Sequence, residues 1–160
     1  MTTENNMTLR PITTQDAEVF MSLRNGSDTY TWFYSNRQFT LEEVQSWIAK
    51  INPETDWVFV VEQDSTIIGT CSVYNIENHQ AEVGRIIVNE NARGKGIGTA
   101  ILQEITKIVT EKNTIDLLYA NIKTTNIRSY RAFEKSNYIR IKEDPATGYY
   151  YELKIIHDNN

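Results

Sequence analysis

The sequence predicts an α/β (α+β) fold of about seven strands and four helices. Short apolar runs of strand length alternate with longer amphipathic stretches, which is typical of a fold that combines a sheet with helices. A glycine-rich turn at residues 93–99 joins one such run to one such stretch. A length of 160 residues suits a domain that buries about two-thirds of its unfolded surface. We therefore expect one domain over residues 1–160, with frayed ends at 1–6 and 157–160.

The N-terminal half is predicted to hold a strand, two helices and a hairpin. Gly26 ends the first helix, because glycine is common just after a helix. Thr40, followed three residues later by Glu43, has the spacing of a capping box and starts the second helix, which Pro53 ends. The predicted elements are a strand at 7–12, helices beginning at 14 and 40, an aromatic loop at 30–39 between them, and strands at 57–62 and 67–76 joined by a turn at 63–66.

The C-terminal half is predicted to alternate strands and helices. Isoleucines recur at intervals of three and four residues from Ile97 to Ile108, and polar residues occupy the opposite side of that helix. Asn126 begins the last helix. The strands are predicted at 82–88, 117–122, 138–141 and 149–156.

The turn Arg93-Gly-Lys-Gly-Ile-Gly-Thr99 is typical of a phosphate-binding segment. Its alternate glycines let the backbone pass close to a ligand, and the first amides of the following helix have no partner within that helix. The helix N-terminus carries about half a positive charge, and Arg93 and Lys95 add two cations there. Neither the Walker spacing nor the dinucleotide-binding spacing is present. The alternative for the turn alone is a flexible connection capped by glycines.

Two motifs together resemble a known family. Arg93, Gly96 and Gly98 fit the pattern Arg/Gln-x-x-Gly-x-Gly/Ala, which resembles the pyrophosphate loop of the GCN5-related N-acetyltransferases (GNAT), enzymes that bind acetyl-CoA. The segment from Asn126 to Tyr138 is similar to the Asn-x-x-Ser/Ala-x-x-x-Tyr-Glu-Lys-x-Gly-Phe segment of the same family, in the same order along the chain. In addition to the two motifs, the order of the predicted strands and helices agrees with the fold that this resemblance implies.

The resemblance implies a mixed, mostly antiparallel sheet whose fourth and fifth strands splay apart and hold acetyl-CoA. The pantetheine arm would pair with the strand as an added strand does. The pyrophosphate would meet the amides of the turn, and the ring of Phe133 would pack on the cofactor. The residues expected to bind acetyl-CoA are Ile86, Ile87, Val88, Arg93, Gly94, Lys95, Gly96, Ile97, Gly98, Thr99, Asn126 and Phe133.

The expected reaction is direct attack of a primary amine on the thioester in a ternary complex. Glu82 is the candidate general base, and the backbone amide of Ile87 is the candidate oxyanion donor. An ordinary strand-edge carboxylate is the alternative for Glu82. Asn121 and Phe133 stand where some relatives carry a glutamate base and a tyrosine acid, and neither residue can transfer a proton. The thiol of CoA has a pKa of about 8.5, so its thiolate can leave without being protonated. Acetyl transfer therefore does not require that acid.

The N-terminal half is expected to select the acceptor. The segment 23–47 resembles acetyltransferases that act on nucleotide-linked 4-amino sugars, of the pseudaminic acid pathway type. Arg24 would then bind a phosphate, and Trp32 or Tyr34 would stack on a base or sugar. Alternatively, Arg24 forms a surface ion pair with Asp28, and the aromatics cover the core. Other acceptors left open are a peptide or protein amine and a polyamine or aminoglycoside. A CoA-binding module without catalysis is the non-enzymatic alternative.

Composition narrows the partners. A net charge of −5 and a pI near 5.1 argue against nucleic acid and anionic membranes. Cys71 is the single cysteine, and the two histidines have no ligand spacing, so we expect no disulfide and no metal. With no membrane span or signal-peptide core in the sequence, we expect a cytoplasmic monomer or homodimer acting on a small-molecule amine. The basic face of the last helix either meets the adenosine phosphate of CoA or is simply solvated; its members are Arg128, Arg131 and Lys135.

Overall fold

The structure, a computed structural model, describes residues 6–26, 38–146 and 148–157. Within them it has the predicted seven strands and four α-helices. The strands are β1 (Met7–Pro11), β2 (Asp56–Gln63), β3 (Thr66–Glu77), β4 (Gln80–Val88), β5 (Leu117–Ile122), β6 (Ile139–Asp144) and β7 (Gly148–Lys154). The helices are α1 (Ala17–Arg24), α2 (Leu41–Ala49), α3 (Ile97–Lys112) and α4 (Ile127–Lys135), with short 3-10 helices at Thr14–Asp16 and Glu90–Ala92.

The strands form one sheet in the order β1-β2-β3-β4-β5-β7-β6. Every neighbouring pair is antiparallel except β4 and β5, which are parallel. This parallel pair is short, because only Gln80–Glu82 aligns with Leu117–Tyr119. Beyond Glu82 the two strands part, so the predicted mixed sheet with a splayed fourth and fifth strand is confirmed.

Local sequence signals explain several element ends. Asp64 and Ser65 both have positive φ, at 53° and 66°, as a two-residue type I′ hairpin requires. Thr40 Oγ1 accepts a hydrogen bond from the Glu43 amide at 3.2 Å, and Glu43 Oε1 accepts one from the Thr40 amide at 2.9 Å, so the capping box is present. The second helix ends at Ala49, earlier than Pro53 alone would require.

The main core lies between α3 and one face of the sheet. Ile97, Ile101 and Ile105 are buried as their spacing predicts, and Val109 continues the buried stripe where Ile108 is only partly buried. In the strands this face carries residues such as Val73 and Val83. A second, smaller cluster joins α1 and α2. Because side chains alternate along a strand, the neighbours of these core residues in β3 and β4 project from the other face.

Candidate active site

A groove of about 620 Å³ opens where β4 and β5 part. Its walls are the second half of β4, the turn at 93–99, the end of β5 and α4. Eleven of the twelve residues predicted to bind acetyl-CoA are in its lining, and Lys95 is the exception. The fold therefore brings both sequence motifs to one surface, although their roles in binding remain predictions.

The glycine turn leaves open space at the start of α3. Gly94 and Gly96 adopt left-handed conformations with φ of 78° and 74°, which glycine reaches without strain. A Cβ at either position would meet no described protein atom within 4 Å, so this space is open to a ligand. A Cβ at Gly98 would lie 3.4 Å from the Ala132 Cβ, which shows how closely α3 packs on α4. The turn thus has the shape that a phosphate group needs beside backbone amides.

Arg93 ties this turn to the end of β4. Its Nε donates a hydrogen bond to the Val88 carbonyl oxygen at 3.0 Å. The side chain therefore positions the turn as well as bringing charge to the groove. Its backbone amide also bonds to the Glu90 carbonyl at 3.2 Å, which closes the short 3-10 helix before the turn.

The groove is basic although the chain as a whole is acidic. Among its described lining residues six are cationic and one, Glu82, is acidic, whereas the chain carries a net charge of −5. Such a local field attracts an anion with several charges. The basic face of α4 contributes three of these cations, so it faces the groove. The six are Arg85, Arg93, Lys123, Arg128, Arg131 and Lys135.

The two remaining predicted cofactor residues lie on α4 or at its start. The Asn126 side chain caps the helix by accepting a hydrogen bond from the Ser129 amide at 3.4 Å. Phe133 is only 1% exposed, and its ring lies edge-on to Tyr138 with the centroids 4.8 Å apart. Phe133 therefore belongs to the core while also contributing to the groove wall.

Glu82 lies at the inner end of the groove, where β4 and β5 separate. The Asn75 Nδ2 donates to Glu82 Oε1 at 3.1 Å, and the Asn121 Nδ2 donates to Glu82 Oε2 at 3.2 Å. Each oxygen of the carboxylate is thus held by the side-chain amide of a different strand. Asn121 cannot transfer a proton, but its amide fixes the orientation of the carboxylate.

Tyrosines and carboxylates surround Glu82 on one face of the sheet. Tyr74, Glu82, Tyr119 and Glu152 are cross-strand partners on β3, β4, β5 and β7, so they project from the same face. The Tyr150 hydroxyl donates to Glu152 Oε2 at 2.8 Å, and its ring lies 5.9 Å from that of Tyr119. We call these five residues the tyrosine face.

The phenols of the tyrosine face stay protonated near neutral pH. Desolvation and nearby carboxylates raise the pKa of Tyr150 to about 12. The same causes, with Glu82 as the main carboxylate, raise the pKa of Tyr74 and of Tyr119 above the usual range. The Tyr150 hydroxyl therefore keeps its proton in the hydrogen bond to Glu152.

A β-bulge re-aims β4 inside the groove. Between the pairs Thr70–Ile87 and Ser72–Gly84, β4 has one extra residue, and Arg85 there has a φ of 53°. Its guanidinium stacks on the Tyr74 ring at 3.9 Å from the centroid. Bulges are common beside active sites, where they redirect a side chain.

Of the three residues predicted to select the acceptor, the structure describes only Arg24, and Arg24 does not line the groove. Arg24 is 7% exposed, lies over the Phe39 ring at 5.1 Å and is absent from the groove lining. Burial lowers its pKa. The surface ion pair offered as an alternative involves Asp28, which lies outside the described residues, as do Trp32 and Tyr34. Their roles remain predictions.

Several groove residues carried no signal in the sequence. Tyr74 and Arg85 line the groove, and Asn75 bonds to Glu82 beside it. Strand pairing and a bulge place all three, and neither is visible in a local motif. Tyr119 lies in an apolar strand, whose composition favours a core position, yet it pairs with Glu82 on the polar tyrosine face. Knowledge of the register between β3 and β4 would have identified these positions.

Other chemistries have little structural support in the described part of the chain. Cys71 is fully buried, and burial raises the pKa of its thiol, so it is not a nucleophile. No group of three potential metal ligands occurs among the described residues. Across the same residues, no helix combines the length and apolar character needed to cross a membrane.

Comparisons with known proteins agree with this architecture. A family model described as an acetyltransferase (GNAT) domain matches residues 6–138. The acetyltransferase PseH from Campylobacter jejuni is 25% identical over 147 residues, covering 91% of this chain and 90% of that protein. An uncharacterized protein from Methanocaldococcus jannaschii is 26% identical over 159 residues and 95% of this chain, which spans only 32% of that relative's length.

Similarity extends to solved structures. Spermidine N-acetyltransferase from Vibrio cholerae, solved in complex with CoA and spermine, superposes with a TM-score of 0.84. The alignment covers 94% of this chain and 96% of that one at 16% sequence identity. At this identity the likeness establishes the fold.

Proposed function

The chain belongs to the GNAT acetyltransferase family, as its two motifs predict, and we propose that it acetylates the amine of a nucleotide-linked amino sugar in the groove between β4 and β5. The family establishes acetyl-CoA-dependent N-acetyl transfer as the reaction class. The acceptor and the residue roles are our proposal. The observation that carries it is the position of Glu82, the single carboxylate among the described lining residues, at the inner end of an otherwise basic groove.

The two parts of the groove suit the two substrates. Acetyl-CoA supplies an acetyl group activated as a thioester. The residues that would hold it are the glycine turn, the open edge of β4 and the basic face of α4, whose amides and cations match a ligand with several phosphates. The tyrosine face would bind the acceptor, because its rings can stack on a sugar.

Glu82 would remove the proton that the attacking amine must lose. The amine nitrogen forms a bond to the acetyl carbon, the carbon–sulfur bond breaks, and the sulfur leaves as the thiolate. Asn75 and Asn121 hold the carboxylate in one orientation while it accepts the proton. The backbone amide of Ile87 would donate to the carbonyl oxygen as negative charge develops there.

The sugar acceptor rests on similarity along most of the chain. The N-terminal segment resembles acetyltransferases of nucleotide-linked amino sugars, and the match to the acetyltransferase PseH spans nearly the whole chain. The assay is release of CoA with acetyl-CoA and a panel of amines: a UDP-linked 4-amino sugar, the free amino sugar, spermidine, kanamycin and a short peptide. We expect the highest kcat/KM for the UDP-linked sugar. No acetylation of any amine would leave only the binding-module alternative.

A polyamine is the second candidate, because carboxylates accompany the tyrosines. Glu82 and Glu152 belong to the tyrosine face, and Glu77 lies close enough to raise the pKa of Tyr119. The Vibrio cholerae neighbour was solved with spermine. A higher kcat/KM for spermidine than for any sugar would favour this candidate. Replacing Glu152 with Gln would then lower kcat/KM for spermidine and leave the other acceptors unaffected.

A further inference from the structure

We infer that Arg85 binds an anionic group, a phosphate or a carboxylate, on the acceptor, so that the preferred substrate carries both an amine and a negative charge. The inference rests on the proposed function and specifies its acceptor. It assigns to Arg85 the role that the sequence suggested for Arg24, which is buried against Phe39 and does not line the groove.

The backbone holds Arg85 in an uncommon conformation. A φ of 53° in the middle of a strand is rare for a residue other than glycine, asparagine or aspartate. The bulge that causes it lies three residues after Glu82, so the guanidinium and the candidate base are on the same stretch of β4. The strained bulge directs the Arg85 side chain onto the tyrosine face.

Stacking leaves the hydrogen-bonding edge of the guanidinium available. The Arg85 group lies 3.9 Å from the centroid of the Tyr74 ring, so one flat side is covered. Its five N–H donors point outward in the guanidinium plane. Among the described residues, no carboxylate or carbonyl accepts a hydrogen bond from these donors, and Glu82 is not within ion-pair distance. A planar, pre-oriented cation of this kind suits two-pronged contact with a phosphate or carboxylate.

The surroundings keep this cation ordered. Tyr74 packs closely on Gly84, because a Cβ there would lie 3.0 Å from the Tyr74 hydroxyl. The ring therefore lies against β4, where it contacts the guanidinium. Tyr74 is also the cross-strand partner of Glu82, so an anion bound by Arg85 and an amine held by Glu82 would lie on neighbouring parts of one surface.

Arg85 is separated from the cations assigned to acetyl-CoA. The predicted phosphate sites are at the glycine turn, which follows the Val88 end of β4, and on α4, whereas Arg85 is near the middle of β4. Loss of Arg85 should therefore weaken binding of the acceptor and leave binding of acetyl-CoA unchanged. A general loss of positive charge would weaken both.

The test uses matched acceptors that differ in their anionic group. These are a UDP-linked 4-amino sugar against the free sugar, and glucosamine 6-phosphate against glucosamine. For R85Q we expect kcat/KM to fall about 10- to 100-fold for the anionic member of a pair and less than about threefold for the neutral one. R85K should lie between, because lysine keeps the charge and loses the fork. The KM for acetyl-CoA should stay unchanged in both variants.

Lys112→Gln is the matched control. Lys112 also lies over an aromatic ring, that of Trp57 at 5.2 Å, but it is outside the groove lining. Its substitution should therefore leave kcat/KM unchanged for every acceptor. Equal losses for the charged and neutral acceptors in R85Q, or a raised KM for acetyl-CoA, would overturn the inference and leave the proposed function standing. If the wild-type protein acetylates no amine, both are overturned together.

Discussion

The two ends of the groove are constructed in different ways. The end proposed for acetyl-CoA is formed by two contiguous segments, the turn at 93–99 and α4, each recognisable as a motif. The inner end is formed by side chains from β3, β4 and β5, and the tyrosine face continues from there onto β7, so these side chains meet only through strand pairing. No contiguous segment of the sequence describes this inner end.

The difference follows from what each end binds. Phosphate groups are bound by backbone amides and a helix N-terminus, which a few consecutive residues can supply. An acceptor is selected by side chains, and these can come from any strand that crosses the face. Substitutions in the turn should therefore abolish cofactor binding outright, whereas those on the tyrosine face should change turnover or the choice of acceptor.

The largest expected effect is at the glycine turn. Replacing Gly96 with Val puts a β-branched residue at φ 74°, at a cost of about 1–3 kcal/mol, and fills space beside the amides. We expect acetyl-CoA to leave the melting temperature of this variant unchanged. For the wild type, acetyl-CoA at a concentration of about 100 times Kd raises the free energy of unfolding by about 2.7 kcal/mol. Asn113→Val is the matched control, because Asn113 has a φ of 56° at the other end of α3, outside the groove lining. A shift for Gly96→Val equal to that of the control would contradict the assignment of the turn.

The second effect separates chemistry from cofactor binding. Glu82→Gln should lower kcat about a hundredfold with little change in the KM for acetyl-CoA, because the amide cannot accept the proton of the amine. Glu111→Gln, on the exposed side of α3, serves as the control. Retention of most activity by Glu82→Gln would make the carboxylate structural.

A smaller effect is expected on the basic face of α4. Arg131→Gln should raise the KM for acetyl-CoA about fivefold, since an exposed charge contact contributes about 1 kcal/mol. The loss should shrink at high salt. The test repeats the measurement with an acetyl-CoA that lacks the adenosine 3′-phosphate. If Arg131 contacts that phosphate, wild type and variant should have the same KM for this shortened cofactor. A fivefold difference that persists would assign Arg131 to another part of the cofactor.

The smallest effect on rate is expected at Phe133. Phe133→Tyr should change kcat by less than about tenfold, because a thiolate of this basicity leaves without an acid. Phe133 is 1% exposed and its ring packs on Tyr138. The added hydroxyl should therefore lower the free energy of unfolding by about 1–3 kcal/mol unless it finds a hydrogen-bond partner. Paired measurements of kcat and Tm check both statements. A large gain in kcat would show that proton donation to the thiolate limits the wild type.

Much of the fold could be predicted because its signals are local. The spacing from Ile97 to Ile105 identified the buried side of α3, and the pair Thr40 and Glu43 located the start of α2. Periodicity failed at the margin, where Val109 rather than Ile108 completes the buried stripe. The helix is long enough for a choice between adjacent positions to depend on how it lies against the sheet.

The sequence by itself determined the family, the order of elements, the glycine turn and Glu82 as a candidate base, because each depends on neighbouring residues or on a motif. Only the tertiary structure decided which side chains accompany Glu82. Asn75 and Asn121 reach its two oxygens from different strands. A bulge turns Arg85 onto Tyr74. Register and bulges arise from pairing between distant segments, and a one-residue slip would send every one of these side chains to the opposite face of the sheet.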